Sequence, residues 1–249
     1  MSELVSIITP VFNSENYIEE CISSILNQSY QNWEMLIVDD KSTDKSTDLI
    51  KSFSKDDKRI ILFFLNENVG SAMARNYAIS RANGKYIAFL DSDDIWLPNK
   101  LQIQIDYMKK NECYFVFSSY DVISHDNTQT FYKIEVPKKI SYDQYLKNTI
   151  IGCLTVVIDR DKFHDLEMPN LRSSHDMALW LNLLKTCGYA HGISETLALY
   201  RDHKSSNTSN KIMAAYDVWN VYRYHENLNF LYSMYNFMFY VLNAFKKRM

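Results

Sequence analysis

Short apolar runs alternate with helical segments along the first ninety residues of this 249-residue chain. Runs at 4–9, 34–38, 60–65 and 86–90 are typical of strands, and between them apolar residues recur every three or four positions. Strands that alternate with helices favour a parallel sheet, because each parallel neighbour is reached through a crossover helix. The sequence therefore predicts an α/β protein with a Rossmann-like, mainly parallel sheet flanked by helices.

Polar, turn-forming residues follow three of these predicted strands, at 9–13, 39–42 and 91–94. The carboxyl ends of parallel strands meet at one edge of a sheet, and ligands of such folds bind beyond that edge. We therefore expect these three segments to converge on a single site.

The third segment, Asp91-Ser92-Asp93-Asp94, places three carboxylates directly after an apolar strand. Such a cluster repels itself unless a cation or ordered donors offset the charge. In an extended segment Asp91 and Asp93 point to the same side, where two hard oxygen ligands suit Mg²⁺ or Mn²⁺. A solvated acidic turn before a helix at Pro98 is the alternative interpretation.

Composition narrows the class of protein. The formal net charge of −3 provides no basic surface field, so we expect no nucleic-acid partner. The four cysteines, at 21, 113, 153 and 187, are far apart, which favours reduced thiols in a cytoplasm over zinc ligands. The N-terminus lacks the pattern of an export signal, and no segment is a confident membrane-spanning helix, so we expect a cytoplasmic protein.

The second half is less regular. We expect a helix at 98–111, strands at 114–120, 153–158 and 197–200, a helix from about 174, and helical structure from 211 to the end. The polar span 122–141 carries no pattern that predicts an element.

Six motifs occur in order along the chain: TPVFN at 9–13, VDDKSTD at 38–44, NVGSAMARN at 68–76, LDSDD at 90–94, HDMALWL at 175–181 and YRDH at 200–203. Together they resemble the inverting nucleotide-sugar glycosyltransferases of family two, which have the GT-A fold. The resemblance is strong over about the first 110 residues, and the layout is similar to bacterial transferases that build cell-envelope or capsular polysaccharides. The resemblance implies a nucleotide-sugar-binding half (1–110), an acceptor-binding half of the same domain (111–210) and a helical tail (211–249).

The resemblance also implies a donor and its contacts. The donor is a nucleotide diphosphate sugar, with UDP favoured, and the acceptor is a hydroxyl of a glycan or lipid-linked saccharide. Either Asp39 or Asp40 accepts a hydrogen bond from uracil, and Arg75 faces the sugar diphosphate. The remaining donor contacts are Thr9, Pro10, Phe12 and Asn13 around the base and ribose, and Asp91 with Ser92.

For the chemistry, the resemblance implies that Asp176 is the catalytic base and that Asp93 binds Mn²⁺ or Mg²⁺. His203 matches a late residue that contacts the metal or the diphosphate, and His175 stands where the family usually has Glu. One base suffices for an inverting displacement, because the acceptor attacks opposite the leaving diphosphate without a covalent intermediate. The alternative interpretation of Asp176 is an acid that the helix dipole favours in the first turn of a helix, and the alternative for His203 is a plain loop histidine.

Other residues also allow a plain structural interpretation. Asp39-Asp40 is a common turn signal, Arg75 fits a solvated helix face, and His175 fits a polar boundary position. A non-catalytic nucleotide-sugar-binding subunit and a sugar nucleotidyltransferase are the alternative functions. The second normally needs a glycine-rich, basic phosphate loop, which the 9–13 segment lacks. Glycine motifs of dehydrogenases and P-loop enzymes are absent.

The tail at 228–245 is rich in aromatic and apolar residues, with four Asn and Ser interruptions, and Lys246-Lys247-Arg248 follows. Such a helix beside basic residues suits the surface of an anionic membrane. We expect peripheral attachment to the inner face of the cell membrane. The alternative is packing on its own domain or on a second subunit, as in a homodimer.

Overall fold

The computed structural model describes residues 2–202 and 211–246, and within them ten strands form one mixed sheet. The strands are β1 (Val5–Val11), β2 (Trp33–Asp39), β3 (Ile60–Phe64), β4 (Tyr86–Phe89), β5 (Ile95–Trp96), β6 (Phe115–Ile123), β7 (Thr130–Ile134), β8 (Lys139–Ser141), β9 (Val157–Asp159) and β10 (Tyr189–Arg201). Their order is β3-β2-β1-β4-β9-β6-β10-β5, with β7 beside β6 and β8 beside β10.

Helices cover both faces of the sheet. They are α1 (Ile18–Leu26), α2 (Ser46–Asp56), α3 (Ser71–Ile79), α4 (Lys100–Asn111), α5 (Tyr142–Lys147), α6 (His175–Cys187), α7 (Lys211–Asn220) and α8 (Phe230–Lys246), with a π-helical turn at Val221–His225. None of the helices in the described part of the chain is both long and apolar enough to cross a membrane.

The neighbours β3, β2, β1 and β4 all pair in parallel, as do β6 and β10. Strand β9 is antiparallel to β4 and β6 and joins the two parallel parts. The prediction of an α/β fold with a mainly parallel sheet is confirmed. Because β1, β2 and β4 share one direction, the segments that follow them leave the sheet at the same edge.

The buried strands divide the core into two layers. Alternate residues of β1 point to opposite faces, so Ile8 joins a cluster with α3 and α6, whereas Ile7 joins one with α1 and α4. Trp180 of α6 is fully buried, and its ring centroid lies 5.4 Å from those of both Phe89 and Phe115. This packing sets the position of α6 over the sheet.

Several predicted elements differ from the structure. The strand predicted at 153–158 is a 3₁₀ turn (Cys153–Thr155) followed by β9, and Trp96 Nε1 donates to the Leu154 carbonyl of that turn at 2.8 Å. The short strand predicted at 197–200 is the end of β10, which has 13 residues and irregular register between Ile193 and Ala198. The unassigned span at 122–141 contains β7 and β8.

The C-terminal helix is interrupted. The π-helical turn ends at His225, and α8 starts only at Phe230. At the break, the buried carboxylate of Glu226 accepts from the Tyr142 hydroxyl and lies 2.7 Å from Lys185 Nζ. In α8 itself, the Tyr232 hydroxyl donates to the Asp143 carboxylate of α5 at 2.9 Å, which holds α8 against α5.

Candidate active site

The loops that follow β1 and β2 are tied together by hydrogen bonds. Asn13, with φ +50°, donates its N–H to Ser42 Oγ at 3.0 Å and accepts from Thr43 N at 2.8 Å. Phe12 is 49% exposed beside it, whereas Thr9 and Pro10 are buried inside β1. The predicted base and ribose loop therefore presents Phe12 and Asn13 to a ligand, while Thr9 and Pro10 lie underneath.

The paired aspartates after β2 organise two neighbouring turns. Asp39 accepts from Ser42 N at 3.0 Å and from the Thr47 hydroxyl. Asp40 accepts from the backbone N–H groups of Val69 at 2.7 Å and Gly70 at 2.8 Å. Both carboxylates are almost completely buried, so each has a structural task in addition to any contact with a base.

Gly70 lies immediately before α3, and its φ of +84° is a conformation that residues with a Cβ rarely adopt. Its N–H points at Asp40, so the carboxylate after β2 sets the start of α3. Helix α3 carries Arg75. Asp40 and Arg75 thus belong to one continuous unit at the sheet edge.

The acidic turn after β4 is packed, unlike a solvated surface turn. Ser92 Oγ lies 2.7 Å from Ser14 Oγ, and the Asp91 carboxylate accepts from Arg75 Nη2. Asp94 is 2% exposed and accepts from Arg201 N at 2.9 Å. Burial first, then the nearby Asp93 and Asp91, raise the pKa of Asp94 well above its ordinary value. The turn therefore holds three carboxyl groups close together, one of them buried and one paired with Arg75.

The side chain of Arg201, at the end of β10, binds this acidic turn through hydrogen bonds. Its guanidinium is almost completely buried and donates to the Asp93 carbonyl at 2.8 Å, to the His125 carbonyl at 2.7 Å and to the Glu20 carboxylate. Arg201 belongs to the sequence motif at 200–203, but the motif predicts no role for it. The structure identifies it as the residue that joins the acidic turn to α1 and β10.

Arg75 connects the acidic turn to the predicted catalytic helix. Its side chain is 95% buried, and its Nη1 lies 2.7 Å from Nε2 of His175, the first residue of α6. Burial disfavours its charge, but Asp91 and further neighbours, including Asp176, hold its pKa above the ordinary value. Asp176 is partly exposed and follows His175 directly. The guanidinium therefore stays charged beside two carboxylates.

The structure brings the predicted site residues of the first half and Asp176 to one edge of the sheet. A chain of direct contacts runs from Asp40 through Gly70 and α3 to Arg75, and from Arg75 to Asp91 and His175. The expected convergence of distant polar turns is thus present. His203, the predicted metal or diphosphate contact, lies outside the described residues.

Within the described part of the chain, Asp91 and Asp93 do not form a complete metal site. Asp91 is engaged by Arg75, so it and Asp93 are not set up as a symmetric pair around one ion. Over residues 2–202 and 211–246, no three His, Cys, Asp or Glu side chains are grouped to hold a metal.

The chain is similar to known proteins in both sequence and structure. A family model described as glycosyl transferase family 2 matches residues 6–164. The proposed teichuronic acid biosynthesis glycosyltransferase TuaG of Bacillus subtilis (strain 168) is 47% identical over 246 residues, which cover 99% of this chain and 98% of that one.

A second relative comes from Escherichia coli. WfgD, named as a UDP-Glc:alpha-D-GlcNAc-diphosphoundecaprenol beta-1,3-glucosyltransferase, is 42% identical over 225 residues, or 88% of this chain and 85% of that one. Among solved structures, S. aureus TarS (residues 1–349) in complex with UDP-GlcNAc superposes with a TM-score of 0.74 at 16% identity. The match covers 98% of this chain and 73% of that one and shows a common fold.

Proposed function

The chain belongs to glycosyl transferase family 2, and from that premise we propose that it transfers a sugar from a UDP-sugar to a hydroxyl of a glycan or lipid-linked saccharide, with inversion, in bacterial surface polysaccharide synthesis. The observation that carries this proposal is the contact network that joins Arg75, Asp91 and the helix of Asp176 at the carboxyl edge of the sheet. The named activities of the relatives, one with a UDP-sugar donor and a lipid-linked acceptor, support it.

The proposed chemistry needs two groups of opposite character. Departure of the nucleoside diphosphate builds negative charge on its phosphates, and the charged Arg75 lies where it can stabilise that charge. The attacking hydroxyl must lose a proton, and the partly exposed carboxylate of Asp176 can accept it. Attack from the face opposite the leaving group needs no nucleophile from the protein, so one base is sufficient.

A divalent cation, Mn²⁺ or Mg²⁺, completes the proposed site. Asp93 would hold it, together with His203 as the sequence predicts. The fit is electrostatic, since the acidic turn brings Asp93 close to Asp91 and Asp94; burial first, and then these neighbouring carboxylates, raise the pKa of Asp94. These ions are commonly held by one or two carboxylates plus substrate phosphates and water, so a sparse protein ligand set suits them. When bound, the ion stabilises charge on the leaving diphosphate.

Nucleotide binding tests the donor assignment directly. Because a ligand that binds only the folded state stabilises it, we expect UDP at about a hundred times its Kd to raise Tm by roughly 5 to 10 °C. Thermal unfolding is measured with UDP, GDP and ADP, each with MnCl₂ or with EDTA. A shift with UDP that weakens in EDTA supports a UDP donor with a metal. No shift with any nucleotide contradicts the transferase proposal, and a shift with GDP alone contradicts the uridine assignment.

Attachment to the inner face of the membrane is the second part of the proposal, and it rests on the unusual polarity of α8. Its fully buried side includes Ser233 and Asn236, whereas its outer side exposes a large apolar stripe. The stripe, called the outer face below, consists of Leu231, Met234, Tyr235, Met238 and Leu242, each 46% to 72% exposed. Tyr232, Phe237 and Tyr240 of the same helix pack on the core, so α8 is apolar on its outer side as well as on much of its inner side. An exposed apolar stripe of this size suits an apolar environment outside the protein.

Charge favours an anionic lipid surface as the occupant of the outer face. Lys147 Nζ lies 5.1 Å from the ring centroid of Tyr235, at the side of the stripe. Residues 228–249 contain three basic residues and no Asp or Glu, in a chain whose formal net charge is −3. An apolar face beside cations binds anionic membranes through both burial and attraction. Such binding would bring the site near a lipid-linked acceptor.

Vesicle binding tests this attachment. Leu231→Gln with Met238→Gln removes two exposed apolar side chains, and we expect about tenfold or greater loss of partition into phosphatidylglycerol vesicles. The matched control is Phe131→Gln with Tyr189→Gln, two side chains of similar exposure on β7 and β10. Equal loss in the control, or no binding by the parent protein, contradicts the attachment. A dimer that only the tail variant dissociates, without vesicle binding, assigns the outer face to a second copy instead.

A further inference from the structure

His175 has a more specific setting than a boundary residue. It is 7% exposed, opens α6, and directly precedes Asp176. Its Nε2 lies 2.7 Å from Nη1 of Arg75, while Nη2 of the same guanidinium donates to Asp91. Three elements of the site, α3, the turn after β4 and α6, therefore meet through one arginine, and His175 supplies the contact from α6.

The contact requires a particular protonation state. Arginine has no acceptor atom, so Nε2 of His175 must accept, and the imidazole is neutral with its proton on Nδ1. Burial and then the charge of Arg75 lower the pKa of His175, against a weaker opposing effect of Asp176 and Asp91. These are the charged groups that face the ring, from α3, its own helix and the acidic turn. Neutral His175 is thus the favoured form at neutral pH.

We propose that His175 is a positioning residue for the donor diphosphate: it orients the Arg75 guanidinium without neutralising it. The Nε–H of Arg75 is buried and donates to no acceptor among the described residues, and each Nη carries a second N–H. A phosphate oxygen of the donor would give these N–H groups an acceptor. The inference rests on the proposed function, since its ligand is the diphosphate of the donor.

The chemistry of the side chain explains why histidine suits this position. A glutamate here would add a carboxylate to Asp91 and Asp176 around one guanidinium, and the local charge would become more negative. A dianionic diphosphate would then meet stronger repulsion. The neutral imidazole fixes the same N–H group while leaving the positive charge of Arg75 for the ligand.

Protonation would undo this arrangement. As the pH falls through the lowered pKa of His175, Nε2 gains a proton, loses its lone pair and faces Arg75 as a second cation. Arg75 then loses one of its two anchors. Donor affinity should therefore fall on the acid side of neutrality, and a neutral acceptor that cannot titrate should remove that loss.

The test measures the Kd of UDP by calorimetry with saturating Mn²⁺, from pH 5 to pH 8, for four proteins. They are the parent, His175→Gln, His175→Ala and the control His191→Gln. Glutamine places a carbonyl acceptor near the position of Nε2 and does not titrate. His191 is a histidine of β10 whose ring lies beside Tyr107 and whose pKa burial also lowers. The pH dependence of the Kd of the His191→Gln control includes the titration of the UDP phosphate, which is common to all four proteins.

At pH 7.5 we expect His175→Ala to bind UDP about tenfold to a hundredfold more weakly, because a charge-assisted hydrogen bond is lost. His175→Gln should bind within about threefold of the parent, and its affinity should fall less toward pH 5 than that of the parent and of His191→Gln. Unchanged affinity in His175→Ala, or an acid-side loss in His175→Gln equal to that of the control, overturns the inference. Failure of the parent itself to bind UDP instead rejects the proposed donor.

Discussion

Asp176→Asn should reduce kcat by about a hundredfold to ten-thousandfold, the usual range for removal of a general base. Asparagine has nearly the same shape but cannot take the proton of an attacking hydroxyl at neutral pH. UDP should bind at least as well as to the parent, because the substitution removes a carboxylate that lies near Arg75 and acts on its charge. Steady-state rates and UDP calorimetry on the same preparation separate the two effects.

The matched control for this variant is Asp48→Asn, in the first turn of α2. Its side chain is 83% exposed, so the chemical change and the helix position are similar while the surroundings differ. We expect an unchanged kcat for the control. An Asp176→Asn enzyme that retains its turnover would leave Asp176 as a helix-dipole acid and would require another base. Parent protein that binds UDP but transfers no sugar to any acceptor would instead favour a non-catalytic nucleotide-sugar-binding subunit.

Arg201→Met should lower the free energy of unfolding by about 3 to 5 kcal/mol, because it removes a buried cation that lies beside the buried Asp94 and pairs with Glu20. Three hydrogen bonds disappear, to the Asp93 carbonyl, the His125 carbonyl and Glu20. Asp94 keeps its bond to the Arg201 backbone N–H but loses the nearby positive charge that lowers its pKa. Methionine is similar in length, so the cost reflects charge and hydrogen bonding more than a cavity. Urea unfolding monitored by tryptophan fluorescence measures the change.

Arg172→Met is the control for Arg201. Its guanidinium also pairs with an aspartate, Asp217, at 2.8 Å, but it is 55% exposed. Exposed pairs contribute little, so we expect a loss of no more than about 1 kcal/mol. Adding Asp94→Asn to Arg201→Met should recover part of the stability, since it removes a carboxyl that the arginine offsets. An equal loss of unfolding free energy in the two variants would show that the buried contacts of Arg201 stabilise the fold no more than the exposed pair of Arg172 does.

Much of the fold followed from local patterns. The alternation of strands and helices up to residue 90 needs only hydrophobic period and turn residues, and the structure has each of those elements. The second half was harder because its strands are not set by local period alone. Strand β10 is irregular within its pairing to β6, and β9 is three residues long and preceded by a 3₁₀ turn whose Leu154 carbonyl accepts from Trp96.

The contacts of the buried polar residues could not be predicted from local sequence patterns. The resemblance implies that Arg75 faces the sugar diphosphate, and local sequence alone fits a solvated helix face; neither predicts its contact with His175 across 100 positions of sequence. Arg201 sits beside the predicted His203 and had no assigned role, although its side chain bonds a carboxylate of residue 20 and carbonyls of residues 93 and 125. A sequence has no local signal for such partners, because each depends on how distant elements pack.

The amino-acid order by itself determined the parallel sheet and the common edge at which residues 9–13, 39–42 and 91–94 meet, because strand direction follows from crossover connections. Tertiary structure alone decided which charges touch. It turned Asp91 toward Arg75, brought His175 at the start of α6 to the same arginine, and left an apolar stripe of α8 exposed. The physical reason is that burial and charge pairing are properties of neighbours in space, and these become defined only when the helices are packed on the sheet.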